Sequence, residues 1–352
     1  MNDESRLRAV RPSIADAVEL PKLVALAPNL VGAAFTLMKL IPARFILDCA
    51  RAEGILAPGT LVAETTSGTF GLALAILCNL RGYRLHLVSD PAVDPALQRR
   101  LDDLGARVDI VTEPAAVGGL QQARLDRLAE VFATNPGHFW PAQYSNSGNP
   151  KSYAGLAELL SEAVGKIDCL VGPVGSGGSM CGTSFFLRVV FPHLTAIGVD
   201  THGSVLFGLP DEGKRLLRGL GNSVMPANLD HRAFDEVHWV TGAEGFLATR
   251  QLHRGHALFA GPTSGAAYMV ARWYAQRHPG ARVVVLLPDE GYRYQETVYD
   301  DGWLRSNGAA LDRLPEEPAL VEHPSEVPRR WTRMQWGQRS YEEVLGGAWE
   351  EC

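Results

Sequence analysis

Between about residues 44 and 290 short apolar runs alternate with longer segments of helical apolar spacing, and glycines or short loops close most of the helical segments. This alternation is the feature that most limits the fold. The apolar runs predict strands over residues 61–63, 84–88, 107–111, 169–171, 196–199 and 282–287. Helical spacing predicts helices over 43–53, 69–80, 95–104, 120–132, 153–164, 179–190 and 264–276. Strands that alternate with helices cannot pair as hairpins. They imply an α/β fold of mostly parallel sheets with helices on both faces. The alternation falls into two runs, around 45–135 and 150–290. A stretch rich in Pro, Gly, Asn and Ser, residues 136–150, lies between them and reads as a domain junction or a functional loop. From residue 306 the pattern stops. Prolines 315, 318, 324 and 328 and isolated tryptophans 331, 336 and 349 suggest an arm that wraps the body or a partner subunit.

Charge excludes several function classes. Lys and Arg total 33 against 39 Asp and Glu, a net charge of −6, which argues against nucleic acid or an anionic membrane as partner. No uncharged apolar run reaches the roughly 18 residues a membrane helix needs. The charged N-terminus lacks the apolar centre of a signal peptide. Cys49, Cys78, Cys169, Cys181 and Cys352 are odd in number and show no C-x-x-C spacing. They read as buried free thiols in a reducing cytoplasm, and no metal site is expected.

Four short segments carry chemistry. Gly175-Ser176-Gly177-Gly178-Ser179 follows a strand and opens a helix. Glycines there let several N–H groups converge, and the helix start adds positive potential, which suits a phosphate. The same loop, with Gly182 and with Asp200 at the end of the next strand, also fits a dinucleotide site. Thr65-Thr66-Ser67-Gly68-Thr69-Phe70-Gly71 is a second strand-to-helix turn, suited to a carboxylate or simply to capping its helix. Gly261-Pro262-Thr263-Ser264-Gly265-Ala266-Ala267 is a third small-residue helix start. Leu286-Leu287-Pro288-Asp289-Glu290-Gly291 is an acidic turn at the C-terminal end of a strand, where ligands of open α/β sheets collect.

Taken in order, these segments resemble the fold-type II pyridoxal-phosphate enzymes, the cysteine synthase and cystathionine β-synthase group, over roughly residues 28–300. The family's E-x-T-S-G-N-T-G phrase stands here as Glu64-Thr65-Thr66-Ser67-Gly68-Thr69-Phe70-Gly71. Its Q-[FY]-x-N-x-x-N-P phrase is Gln143-Tyr144-Ser145-Asn146-Ser147-Gly148-Asn149-Pro150. Its G-[IL]-G and N-L-D phrases are Gly219-Leu220-Gly221 and Asn228-Leu229-Asp230. The resemblance implies two open twisted sheets with the cofactor, pyridoxal 5'-phosphate, between two domains. The smaller domain would span 34–145, the larger 10–33 plus 146–305, with 306–352 as a C-terminal extension. It also implies a Schiff-base lysine near the N-terminus. The chain has only five lysines, and Lys39 in Met38-Lys39-Leu40-Ile41-Pro42 holds that place. Gly175, Ser176, Gly177, Gly178 and Ser179 would bind cofactor phosphate. Thr66, Ser67, Gly68, Thr69, Gln143 and Gly219 would hold the substrate, and Thr69 would also meet the cofactor ring.

The departures from the pattern are specific. The residues flanking the lysine are Leu37, Leu40 and Ile41 instead of Ser, Asp and Arg. Thr69 replaces an Asn and Phe70 a Thr. Glu290 falls where the family sets Ser or Thr against the pyridine nitrogen, and a carboxylate there would keep that nitrogen protonated. Tyr294 to Leu304 is similar to the branch that makes 2,3-diaminopropionate precursors. The implied activity is β-elimination or β-replacement on a serine- or cysteine-derived amino acid. An O-phosphoserine or O-acetylserine type of donor would meet an amine or sulfur nucleophile, in a cytoplasmic homodimer. A deaminase or other Cα-carbanion reaction is the alternative on this scaffold. A nicotinamide-dependent oxidoreductase and a cofactor-free binding protein are the rivals from other classes.

Overall fold

The computed structural model describes residues 10–346 except Ser67, Ala92, Val117, Gly118, Lys214 and Arg218. In chain order the strands are Lys22–Ala27 (β1), Leu30–Ala34 (β2), Leu61–Thr65 (β3), Arg84–Ser89 (β4), Ala106–Ile110 (β5), Cys169–Pro173 (β6), Thr195–Thr201 (β7), Glu236–Val240 (β8), Val283–Leu287 (β9), Ala319–Val321 (β10) and Thr332–Gln335 (β11). They form two sheets. One has the order β3-β4-β5, all parallel, and the other β1-β2-β9-β6-β7-β8-β11-β10. The centre of the larger sheet, β2 through β8, is parallel throughout. Antiparallel pairing occurs at β1–β2 and β8–β11.

The strands at the centre are buried on both faces, which explains their unbroken apolar runs. Along β9, Val283, Val285 and Leu287 enter one core while Val284 and Leu286 enter the other. Each such side chain contributes roughly 1.5–3 kcal/mol by leaving water. The helix Pro262–Arg277 lies against this sheet and against the helix Gly242–His256. Gly265 makes that crossing possible, because a Cβ there would stand 2.0 Å from the Thr249 hydroxyl. The partner helix starts at a capping box in which Thr241 and Glu244 bond each other's backbone N–H.

The predicted strands and helices are present, with ends shifted by one to three residues. Several elements were not legible: the hairpin β1–β2, strand β8 and the helix after it. The tail, read as an arm, enters the larger sheet of its own chain. β11 pairs antiparallel with β8, and β10 pairs parallel with β11. Trp331 and Trp336 are buried by this docking. One cysteine departs from the expectation. Cys78, Cys169 and Cys181 are buried free thiols, but Cys49 is exposed, because it lies on the outward face of its helix. Cys352 and Trp349 lie outside the described residues. No described helix is long and apolar enough to cross a membrane.

Candidate active site

Lys39 and three of the four chemistry-bearing segments follow the C-terminal ends of parallel strands, whereas Gly261–Ala267 follows the helix Gly242–His256. Lys39 follows β2, the 66–71 turn follows β3, the 175–179 loop follows β6 and Asp289–Glu290 follow β9. Parallel pairing places these ends along one edge of each sheet. The 175–179 loop is the hub. Gly177 has φ +80°, and a Cβ there would sit 2.7 Å from the Leu229 Cα. A Cβ on Gly178 would stand 2.1 Å from Asn149 Oδ1, and one on Gly175 would stand 3.2 Å from the Gly219 carbonyl. A Cβ on Gly219 itself, at φ +84°, would stand 3.4 Å from the Thr263 methyl. The loop therefore touches the 143–150, 219–221 and 228–230 segments directly, and reaches the 261–267 helix start through Gly219. Its last glycine opens the helix Gly178–Val190, with half-buried Ser179 as the next residue.

Lys39 Nζ donates to Ser176 Oγ at 3.3 Å and lies 5.9 Å from the centre of the Phe70 ring. Burial pushes its amine down to about 8. Phe70, which departs from the family's Thr, thus presents its ring to the amine, while desolvation is what lowers the pKa. On the smaller sheet, Thr66 Oγ1 accepts from Gly68 N at 3.2 Å, shaping the turn that opens the helix Thr69–Arg81. Ser67 lies outside the described residues. Gln143 is buried, and its Nε2 donates to the Thr65 carbonyl at 3.4 Å. The structure therefore gathers Lys39, Thr66, Gly68, Thr69, Gln143, Gly219 and the 175–179 loop about one crevice between the two sheets.

The acidic turn divides into two roles. Asp289 Oδ2 accepts from the Tyr294 hydroxyl at 2.8 Å, and its Oδ1 abuts Gly261. Burial raises this carboxyl to about 6. Glu290 is half-buried and instead accepts from Thr36 Oγ1 at 3.0 Å, three residues before Lys39. The Asp200 carboxyl is fully buried and raised by desolvation to about 7, with Thr201 N as donor at 2.8 Å. A Cβ on Gly221 would crowd it at 2.9 Å, so Asp200 supports the 219–221 turn from behind.

The residues present fit pyridoxal phosphate. The 175–179 loop has no side chain larger than serine to block a phosphate, and a 13-residue helix starts at its end. The Lys39 amine stands within hydrogen-bond reach of that loop. Asn149 Oδ1, Thr65 Oγ1, Ser264 Oγ and Asp289 Oδ1 are buried without a hydrogen-bond partner. Buried polar atoms of this kind cost about 1–3 kcal/mol each unless paired, so a ligand rich in polar atoms suits the crevice.

Three features were missed in the sequence. Glu64 is almost fully buried, and burial lifts its carboxyl to about 7. Arg293 bridges the two sheet bodies by pairing with Asp94 Oδ2 at 2.9 Å, and its guanidinium lies beside Gly68. Arg124 and Asp90 form a buried pair at 3.0 Å. Only Glu64 carried a signal, as the first residue of the Glu64–Gly71 phrase.

Comparison with known proteins agrees with this geometry. The family described as "Pyridoxal-phosphate dependent enzyme" matches residues 38–289. N-(2-amino-2-carboxyethyl)-L-glutamate synthase of Ralstonia nicotianae is 37% identical over 292 residues, covering 80% of this chain and 86% of the relative. The synthase of the same name from Cupriavidus metallidurans is 34% identical, covering 82% and 85%. The crystal structure of an O-acetylserine dependent cystathionine beta-synthase from Helicobacter pylori superposes with a TM-score of 0.75 at 25% identity, covering 82% of this chain and 98% of that one. The chain is a member of the cysteine synthase-like pyridoxal-phosphate dependent enzymes, with pyridoxal 5'-phosphate as its cofactor.

Proposed function

We propose that this enzyme is a synthase that replaces the β-substituent of a serine-derived amino acid with the amine of a second amino acid. The observation that carries the reading is the Lys39 amine, half-buried and hydrogen-bonded to the phosphate loop beside the carboxylate turn. The two relatives are named for a glutamate whose nitrogen bears a 2-amino-2-carboxyethyl group, a bond between that nitrogen and a serine-type β-carbon.

When bound, pyridoxal phosphate supplies a carbonyl for the amine and a ring that accepts electron density from the α-carbon. The chain supplies the rest. Gly175, Ser176, Gly177, Gly178 and Ser179 would hold the phosphate with backbone N–H groups and hydroxyls. Glu290, braced by Thr36, would serve the ring nitrogen and favour its protonated form, and Thr69 would serve the ring oxygen. Thr66, Ser67, Gly68, Thr69, Gln143 and Gly219 hold the amino-acid substrate. Lys39 Nζ takes up the α-proton, and burial lowers its pKa to about 8, so a larger share of the amine is uncharged near neutrality than for an exposed lysine.

Incubating the holoenzyme with O-phospho-L-serine or O-acetyl-L-serine and L-glutamate yields an adduct with the mass of the joined amino acids. Release of pyruvate with no adduct, with either donor and any amine, would favour the deaminase reading and overturn this one.

The working state we propose is a cytoplasmic homodimer, each subunit divided into a 34–145 domain, a 10–33 plus 146–305 domain and a 306–352 extension. Four free cysteines among the described residues fit a reducing compartment. Phe185 and Val189, one turn apart on the helix Gly178–Val190, are 64% and 72% exposed. They present apolar surface on the distal half of the helix that the site-bearing loop opens. Light scattering should give twice the 38.1 kDa chain mass, and the Phe185→Glu variant should give the single mass. A wild-type mass of one chain overturns the dimer.

A further inference from the structure

We propose that Glu64 is a positioning residue whose carboxylate, at the end of β3, grips the 140–143 segment and so aims Gln143 at the bound amino acid. The inference rests on the site reading above but not on the identity of the nucleophile.

Glu64 is the penultimate residue of β3, and its side chain ties the start of the Thr66–Gly71 turn to the 140–143 segment, which follows the Phe139 backbone paired beside that strand. Its Oε1 accepts from Thr65 N at 2.8 Å and from Trp140 Nε1 at 3.0 Å. Its Oε2 accepts from Gln143 N at 3.1 Å, and the Ala142 N–H acts on the same carboxylate. The donors are thus N–H groups on both sides, and an ionised carboxylate, which only accepts, matches them without conflict. The segment it holds needs holding. Ala142 has φ +50°, in the left-handed region that a residue with a Cβ avoids. Ala142 has only its carbonyl engaged by its own loop, through Ser145 N and Asn146 N.

Fixing Gln143 has a further reach. Its carbonyl accepts from Asn149 Nδ2 at 2.7 Å and from Asn228 Nδ2 at 3.0 Å. Asn149 Nδ2 also donates to Ser176 Oγ at 3.4 Å, the atom that Lys39 Nζ meets. An unbroken hydrogen-bonded path therefore runs from Glu64 through Gln143, Asn149 and Ser176 to Lys39. At both ends of that path, buried Glu64 and half-buried Lys39, desolvation disfavours the charged form.

The ionisation of Glu64 decides the strength of the grip. With burial raising its carboxyl to about 7, the proton is present below neutrality and lost above it. A proton on Oε2 would point at the Gln143 and Ala142 N–H groups and turn them away. The grip therefore tightens as pH rises through neutrality. The neighbouring ionisable groups on the packed elements are Tyr144 on the same loop, Arg124 on the helix Gly119–Thr134 and Asp90 after β4; Arg215 also acts on Tyr144. Arg124 and Asp90 pair with each other, and burial raises the Tyr144 phenol above its ordinary value, away from neutrality.

The test uses the holoenzyme and binding, so it stands even where no adduct forms. L-serine is titrated in while the cofactor absorbance is followed. Glu64→Gln should keep the cofactor band and borohydride trapping on Lys39, yet weaken L-serine binding about tenfold or more, because one oxygen is replaced by an N–H₂ that faces N–H donors. Trp140 is 40% exposed, and its fluorescence should titrate with a midpoint near 7 in the wild type and be flat in Glu64→Gln. Trp140→Phe removes one donor only and should weaken L-serine binding by about threefold. It decides the matter if Glu64→Gln does not fold. Unchanged L-serine binding in either variant overturns the proposal, and so does a Trp140 signal that still titrates in Glu64→Gln. Loss of the cofactor band in wild type would instead sink the site reading itself.

Discussion

Replacing Lys39 with alanine lowers turnover by about 10²–10⁴-fold, the usual contribution of a positioned acid–base group. Covalent trapping of the cofactor by borohydride disappears at the same time. The reason lies in the surroundings of one amine. Lys39 is half-buried, its hydrogen-bond partner is the neutral Ser176 hydroxyl, and desolvation alone brings it from 10.5 to about 8. Its pH dependence has a definite sign. Below 8 the amine is increasingly protonated, so the rate of cofactor capture by apoenzyme should fall about tenfold per pH unit. Above 8 the rate levels off. An amine with an ordinary pKa would keep rising to above pH 10. Stopped-flow absorbance across pH 6–10 separates the two, and a Lys39→Ala protein that still traps cofactor would remove Lys39 from its role.

The second large effect is on stability and lies far from the crevice. Trp331→Ala should destabilise the protein by about 3–5 kcal/mol, read as a lower denaturant midpoint at an unchanged slope. Trp331 is 1% exposed and stacks edge-on against Trp273 at 5.7 Å. Its Nε1 donates to His238 Nδ1 at 2.9 Å and its backbone N to Glu244 Oε1 at 2.8 Å. Because His238 Nδ1 accepts, its Nε2 must carry the proton that faces Glu236. The buried imidazole is thus neutral, in keeping with the lowering of its pKa by burial. Trp331→Phe retains most of the packing but strands Nδ1, and should cost about 1–3 kcal/mol. An alanine variant within about 1 kcal/mol of wild type would mean that the tail docks without contributing to the fold.

These two cases mark the limits of what was readable. The elements around Lys39 announced themselves because their signals are local: apolar runs, glycine stops and small-residue turns within a few positions of each other. The docking of the tail has no such signal. β8 reads Glu236-Val237-His238-Trp239-Val240, and its polar residues look solvated until Trp331, Arg333 and Gln335 arrive from almost a hundred positions away. The hairpin β1–β2 was hidden for a similar reason, since β2 is stabilised by β9. Within the site, the motif residues were legible by type and order. The partners of Glu64 and the bracing of Glu290 by Thr36 were not, because they join segments that only the folded chain brings together.

The order of strands in the larger sheet also sets a timetable. β9 lies between β2 and β6, although it is made some 250 residues after β2. The smaller sheet, residues 61–110, has only near neighbours in the chain and can assemble while synthesis continues. The wall behind Lys39 cannot. Phe35 N and Met38 N bond the carbonyls of Leu287 and Pro288, so the lysine loop has nothing to settle against until those residues leave the ribosome. The loop that carries Lys39 thus reaches its final backbone pairing only after β9 has been made.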